Sequence, residues 1–242
     1  RYFNQLVAPH PDSVNKEMDY MLSFAKANPE MERFLLLRFV NRYYSQRYMW
    51  EDAVFVHLYE KYFATNPPSW LSEQGKKTIT DRAYSLMANI FGSPATEIQL
   101  PDSTGKSISL YGLKNEYALV IFWDPLCGHC KETLPKIDSV YQLRWKGQGL
   151  GVYAVAKENE GTREDWLKFI RDKNLGDWSH VYYSKEAEKV RVSNNVPGYS
   201  QLYDVQSFPT LYLLDKDKRI VAKKLSFEQI DEILQLKLKE KK

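Results

Sequence analysis

Both cysteines of the chain lie two residues apart in one short stretch, FWDPLCGHCK, from Phe122 to Lys131. Thiols at this spacing can serve disulfide exchange, half of a metal site, a haem attachment or a structural bridge. A structural zinc site needs four ligands, and the chain has neither a second CxxC nor a histidine pair at finger spacing. A c-type haem needs a histidine where Lys131 stands. A disulfide closing so small a loop restrains the unfolded chain little, so redox chemistry is the favoured interpretation.

The elements around the pair are predicted to place it where a thiolate is stabilised. YALVIFW, residues 117–123, is an apolar run typical of a strand buried on both faces. A helix is predicted to follow, to about Trp145, with Cys127 at its start and Cys130 within its first turn. The unpaired N–H groups and partial positive charge at a helix start stabilise a thiolate. Cys127 is therefore predicted to be the attacking thiol, and Cys130 the buried, resolving thiol.

The pattern after Pro94 is that of an α/β domain with a central mixed sheet flanked by helices. EIQL and SISL, on either side of PDSTGK, are predicted to form a hairpin. Further strands are predicted at YALVIFW, LGVYAVA, HVYY, TLYLLD and RIVAKKL. Helices are predicted after the cysteines, after a capping box that begins at Thr162, and at FEQIDEILQLKL. The stretch around Pro197 and Gly198 is predicted to be a loop.

The first part of the chain, residues 1–92, is predicted to be an all-α domain. Four amphipathic helices with short connections suggest a small antiparallel bundle, the first of them capped by Asp12 or Ser13. Apolar residues recur at helical spacing, for example Leu36, Phe39, Val40 and Tyr43. The many aromatic residues are expected to belong mainly to the core: Tyr20, Phe34, Tyr43, Tyr44, Trp50, Tyr59 and Tyr62. This domain is predicted to bind a partner or to act as a spacer.

Composition and charge exclude some classes of partner. The formal net charge of +3 arises from 34 basic and 31 acidic residues, with no basic run interleaved with aromatics, which argues against nucleic acid. No apolar run approaches the ~20 residues that span a bilayer. The chain begins at Arg1 and not at Met. We therefore expect that a preceding segment was removed, and that any membrane contact is made through a removed lipid anchor.

Residues 96–242 resemble the thioredoxin-fold TlpA/ResA-like thiol–disulfide oxidoreductases of bacterial envelopes. The resemblance depends on ALVIFW before the cysteines, on CxxCK with Pro135 in the following helix, and on SFPTLYLLDKDKRI. It implies a thioredoxin-like fold, here preceded by the helical-bundle domain, and a location in the bacterial periplasm or cell envelope. It implies protein thiols or disulfides as substrates and a redox partner protein. The expected redox group is the Cys127–Cys130 disulfide, without a metal or other cofactor.

The resemblance also implies roles for residues outside the cysteine pair. Pro209 matches the cis-proline of the family, which faces the CxxC motif and pairs its loop with the substrate backbone. Glu158 matches a glutamate that moves the proton of Cys130, although a surface carboxylate is an alternative for this position. Further substrate contacts are expected at the residues beside the cysteines and before the proline: Leu126, Gly128, His129 and Phe208. His129 between the cysteines favours the dithiol form and a comparatively oxidising couple.

Two other functions are weighed against the oxidoreductase. A binding or chaperone-like module could carry CGHC as a vestigial or merely structural disulfide, and the wild-type chain would then not reduce insulin disulfides. A thiol peroxidase on the same fold would use one cysteine in a loop that contains Pro and Thr, which differs from a CxxC motif at a helix start. The direction of electron flow is left open by the residues.

Overall fold

The fold is described from a computed structural model, for residues 2–240 of the 242-residue chain. The chain divides between Phe91 and Gly92 into two compact units, one residue before the predicted end of the helical domain. Each unit has its own apolar core. None of the helices within residues 2–240 is long and apolar enough to cross a membrane.

The first unit is helical throughout. Its helices are α1 (Tyr2–Gln5), α2 (Pro11–Ala25), α3 (Pro29–Tyr44), α4 (Glu51–Tyr62) and α5 (Glu73–Met87). Helix α2 begins at Pro11 and is capped by His10, whose side chain accepts the Asp12 N–H. The predicted cap at Asp12 or Ser13 is therefore wrong, because a proline at the first helical position starts the helix earlier. The predicted stripe on α3 is confirmed, since all four of its residues are buried.

The aromatic residues of this unit divide between core and surface. Tyr43 and Tyr59 are buried, as expected. Tyr20 and Phe34 are 60% and 55% exposed, so their assignment to the core is wrong. Tyr20 lies two residues before the buried Leu22, and Phe34 lies two residues before the buried Leu36. Residues i and i+2 of a helix point to nearly opposite faces, so these two aromatic side chains point away from the core.

The second unit has a five-stranded sheet in the order β5-β4-β3-β6-β7 and a separate hairpin, β1-β2. Its strands are β1 (Gln99–Pro101), β2 (Ser107–Ser109), β3 (Tyr117–Trp123), β4 (Leu150–Lys157), β5 (Ser179–Tyr183), β6 (Thr210–Asp215) and β7 (Ile220–Lys223). Strand β3 pairs in parallel with β4 and antiparallel with β6. All seven residues of β3 are buried, as the apolar run predicts.

Helices cover this sheet, and one predicted loop is helical instead. The helices are α6 (Gly128–Val140), α7 (Arg163–Asp172), α8 (Lys185–Ser193), α9 (Tyr199–Leu202) and α10 (Phe227–Glu240), with a π-helical turn, Tyr141–Trp145, directly after α6. The capping box predicted at the start of α7 is present. Helices α8 and α9 occupy the predicted loop, and α8 buries none of its residues, so it leaves no apolar stripe in the sequence.

Candidate functional site

Cys127 lies where the central strand passes into the next helix. Strand β3 ends at Trp123, and Cys127 is the residue immediately before α6, with φ −62° and ψ 124°. Its N–H donates to the carbonyl oxygen of Asp124 at 3.1 Å, which closes a tight turn after the strand. The side chain is half-buried, and it makes no capping hydrogen bond to the helix. The Cys127 sulfur is therefore both accessible and next to the positive end of a helix.

Cys130 lies in the first turn of α6 and is fully buried. Both cysteines are free thiols. Burial raises the pKa of Cys130 far above its ordinary value, and a hydrogen bond with the Asp124 backbone lowers this pKa in part. The neighbouring Cys127 thiol and the Asp124 charge add to the increase. The two thiols thus differ in exposure, as predicted for an attacking and a resolving cysteine.

The loop before β6 faces Cys127. The Phe208–Pro209 peptide bond is cis, as the resemblance implies. The Cys127 thiol donates to the main-chain oxygen of Phe208 at 3.5 Å, between residues 81 apart in the chain. The structure therefore brings the Phe208–Pro209 loop against the Cys127 thiol.

A groove of about 510 Å³ lies beside Phe208 and Pro209. His129, Phe208 and Pro209 line it, together with Lys136 and residues after β7 that include Lys224. A Cβ atom at Gly128 would meet no atom within 4 Å, so the residue after Cys127 faces open space. Leu126 is 41% exposed on the other side of Cys127. The rim beside Cys127 is therefore accessible and mixes apolar side chains with polar and basic ones.

Glu158, the predicted proton carrier, lies just after β4 and is half-buried. Its carboxylate accepts the Lys185 N–H at 3.0 Å and a hydrogen bond from the Tyr182 hydroxyl, and its N–H donates to the Tyr183 carbonyl. Within residues 2–240 these hydrogen bonds join Glu158 to β5 and to the start of α8. Its role in proton transfer to Cys130 stays a prediction.

Asp124 is the site residue that sequence reasoning missed. Its side chain is 1% exposed, and its carboxylate accepts N–H groups from Leu126, Glu160 and Gly161. The available signal was an acidic residue directly after a fully apolar strand, two residues before an N–H that it can accept in a turn.

No cluster of three or more His, Cys, Asp or Glu side chains within residues 2–240 could bind a metal ion. His180 is half-buried in β5, where its Nε2 lies 2.7 Å from the Leu175 carbonyl oxygen.

Comparison with known proteins identifies the family. A model of the AhpC/TSA family matches residues 91–223, which is more than half of the chain. The chain belongs to the AhpC/TSA family. This AhpC/TSA member is similar to the thiol-disulfide oxidoreductase ResA of Bacillus cereus, with 27% identity over 133 residues, covering 54% of this chain and 68% of the ResA protein.

Solved structures agree with this assignment. A domain of a possible thiol-disulfide isomerase from Cytophaga hutchinsonii is 35% identical, with a TM-score of 0.52, and the match covers 62% of this chain and 94% of that domain. A thioredoxin-like protein from Bacteroides caccae has a TM-score of 0.69 over 93% of this chain and 77% of its own, at 21% identity, which shows the fold alone. The predicted thioredoxin-like fold, the family resemblance and the oxidoreductase class are confirmed for this AhpC/TSA member.

Proposed function

We propose that this chain is a thiol–disulfide oxidoreductase that exchanges disulfides with protein substrates through Cys127 and Cys130 in the cell envelope. The observation that carries the proposal is the asymmetry of the pair. The Cys127 sulfur is half-exposed at a helix start and contacts the loop of the cis Phe208–Pro209 bond, whereas Cys130 is fully buried one turn further along. Two-step exchange requires one thiol that is accessible to the substrate and a second thiol that reacts only with the first.

The exchange proceeds in two balanced steps. The Cys127 thiolate attacks one sulfur of a substrate disulfide, which forms a mixed disulfide and releases the first substrate thiolate. The Cys130 thiolate then attacks the Cys127 sulfur, which forms the Cys127–Cys130 disulfide and releases the second substrate thiolate. The protons of the two enzyme thiols leave with the substrate thiols, so the substrate gains two electrons. The reverse sequence oxidises a substrate dithiol.

The substrate is proposed to be an extended protein segment lying in the groove beside His129, Phe208 and Pro209. The groove is open, and the main-chain oxygen of Phe208 already lies within hydrogen-bond distance of the attacking thiol. A cysteine in a bound segment would therefore reach Cys127 while its main chain lies along the loop. Leu126 and Gly128 would contact the residues on either side of that cysteine.

A trapping experiment tests the proposal. Cys130→Ala should accumulate covalent complexes with envelope proteins that dithiothreitol releases, because the mixed disulfide has lost its resolving thiol. Cys127→Ser should trap nothing and should abolish the reduction of insulin disulfides. If the wild-type chain did not reduce insulin disulfides and Cys130→Ala trapped no protein, the chain would instead fit a binding module in which the cysteine pair is structural.

The couple is proposed to be comparatively oxidising, because His129 stands between the cysteines where thioredoxins of the CGPC type have proline. Equilibration of the whole chain with glutathione buffers, followed by alkylation of the free thiols, gives the reduction potential. We expect a value clearly above the about −270 mV typical of thioredoxin, and His129→Pro should lower it. A wild-type value at the thioredoxin level would contradict this part of the proposal.

The helical unit is proposed to bind a partner protein. Its support is the exposure of large apolar side chains on α2 and α3, among them Tyr20, Phe24 and Phe34. Replacing these three residues by serine in the Cys130→Ala chain should change the set of trapped proteins. An unchanged set would leave the unit as a spacer.

A further inference from the structure

The first unit contains a cavity of about 570 Å³. Its walls come from the N-terminal segment with Phe3, Val7 and Pro9, from Val14 of α2, and from the connection between α3 and α4. The Phe3 ring packs edge-on against Phe39 of α3, with the ring centres 5.5 Å apart, so the N-terminal segment is packed onto the core. Pockets that bind small molecules commonly have volumes of about 300–1,000 Å³. The helical unit therefore has room for a ligand of its own.

Glu51, in the wall of this cavity, is fully buried. Its Oε2 accepts the Arg47 N–H at 2.7 Å and the Tyr48 N–H at 3.4 Å. Both of its carboxylate oxygens also accept the Arg42 guanidinium. A buried carboxylate is stable only with such partners. The Glu51 carboxylate therefore fixes the connection between α3 and α4, and Arg42 compensates its charge.

Arg42 is held on two sides and still has donors to offer. One edge of its guanidinium binds Glu51, and its central carbon lies 4.7 Å from the centre of the Tyr43 ring. Glu51 uses two of the five N–H donors of the guanidinium, and the other three have no partner within residues 2–240. The Arg42 side chain lines the cavity and is 24% exposed. A guanidinium fixed in this way loses little conformational freedom when it binds a carboxylate.

Arg47 gives the cavity its net charge. Its side chain is exposed, and no described residue forms an ion pair with it. Since Arg42 and Glu51 compensate each other, the lining as a whole carries one positive charge. The rings of Tyr48 and Trp50 are parallel within 2°, with their centres 6.1 Å apart, and both line the same cavity. Aromatic surface beside an uncompensated guanidinium suits a ligand with an apolar body and an anionic group.

We propose that this cavity binds a small amphipathic carboxylate. The ligand carboxylate accepts N–H groups from Arg42 and Arg47. Its apolar body lies against Phe3, Val7 and Trp50. A neutral molecule of the same shape keeps the apolar contacts but loses the attraction of the two guanidinium groups. The site is separate from the proposed thiol exchange, so either assignment can fail without the other.

Calorimetric titration of the whole chain with 4-phenylbutyrate, and with its neutral isostere 4-phenylbutanamide, tests the assignment. At about pH 7 the acid is fully ionised, so the two probes differ mainly in charge. Wild-type protein should bind 4-phenylbutyrate at least about fivefold more tightly than the amide, because hydrogen bonds to charged groups are the stronger ones.

Arg47→Gln removes the uncompensated charge and keeps the main-chain N–H that Glu51 accepts. It should weaken the binding of 4-phenylbutyrate by at least about fivefold and leave the binding of the amide unchanged. Arg38→Gln is the matched control, because Arg38 is an exposed arginine of α3 that does not line the cavity. It should leave the affinity for both probes at the wild-type level.

Two further variants test whether the probes occupy this cavity. Val7→Trp fills part of the space and should weaken both probes several-fold. Tyr48→Ser removes one aromatic wall at an exposed position, should also weaken both, and provides the test if Val7→Trp does not fold. Three results would overturn the proposal: no binding of either probe by wild type up to about 10 mM, wild-type affinity for 4-phenylbutyrate in Arg47→Gln, or unchanged binding in the cavity variants.

Discussion

His180 makes the stability of the second unit depend on pH in a direction that can be calculated. Its Nε2–H donates to the Leu175 carbonyl oxygen at 2.7 Å, and its ring stacks on Trp178 with the ring centres 5.6 Å apart. The other nitrogen, Nδ1, is shielded from solvent and has no hydrogen-bond partner within the described part of the chain. Burial therefore lowers the pKa of His180 from 6.5 to about 4.

A lowered histidine pKa means that the unfolded chain binds the proton before the folded protein does. The contribution of the neutral His180 ring to the free energy of unfolding is therefore fully present above about pH 6.5 and is lost as the pH falls toward about 4. A difference of one pKa unit is worth about 1.4 kcal/mol. Integration between the two values gives a loss of about 2 kcal/mol between pH 7 and pH 5, and about 3 kcal/mol below pH 4.

His180→Gln is the perturbation, because glutamine can still donate to the Leu175 carbonyl but does not titrate. Urea unfolding at pH 7 and pH 5, followed by tryptophan fluorescence, gives the free energy of unfolding for each chain. Wild-type protein should lose about 2 kcal/mol more than His180→Gln between these pH values. His10→Gln, at the exposed histidine that caps α2, should lower stability at both pH values alike and show the wild-type loss between them. An equal loss in wild type and His180→Gln would refute the reasoning.

Substitutions at three other residues each test one set of contacts. Arg42→Ala removes the cation paired with the fully buried Glu51 and should lower the free energy of unfolding by about 3–5 kcal/mol; in urea unfolding, a loss below about 1 kcal/mol would contradict this. Thr162→Ala removes the cap of α7 and should cost about 1 kcal/mol, whereas Thr162→Ser should retain most of it. Tyr153→Phe deletes a hydroxyl that hydrogen-bonds to the main-chain carbonyls of Ile98 and Ile108. We expect the free energy of unfolding to fall by about 1–3 kcal/mol. Unchanged stability would show that water replaces the hydroxyl.

The features that could be predicted from the sequence are those with a strong apolar signal. Every residue of β3 is buried, so its run of seven apolar residues is enough to identify the strand. Once the strand is identified, the start of α6 can be placed directly after it. Helix α8 has no buried residue, and its N-cap Ser184 is too common a residue to reveal it alone. The exposure of Tyr20 depends on which face of α2 meets α3, which is a property of packing.

Site residues could be predicted from the sequence only where the side chain itself carries the chemistry. Cys127 and Cys130 carry their chemistry in their side chains, and their spacing along a helix start determines which of them is buried. Asp124 acts through hydrogen bonds to Glu160 and Gly161, which lie 36 and 37 residues away, and nothing in its immediate neighbours reveals them. Every residue except proline has a main-chain N–H, so a long-range hydrogen bond to such a group cannot be recognised from the residue type of the donor.

The strand order explains why these distant segments meet at all. Parallel β3 and β4 end at the same edge of the sheet, so the turn with Asp124 and the loop with Gly161 emerge side by side. β6 runs antiparallel to β3, so its first residue, Thr210, lies opposite Phe122 at that same edge. The Phe208–Pro209 loop, which immediately precedes β6, therefore approaches Cys127 from the other side. The turn after β3 therefore holds Cys127 between these two neighbours. The Asp124 contacts to the loop after β4 and the Cys127 contact to Phe208 should respond separately to substitution, although both set the environment of one sulfur.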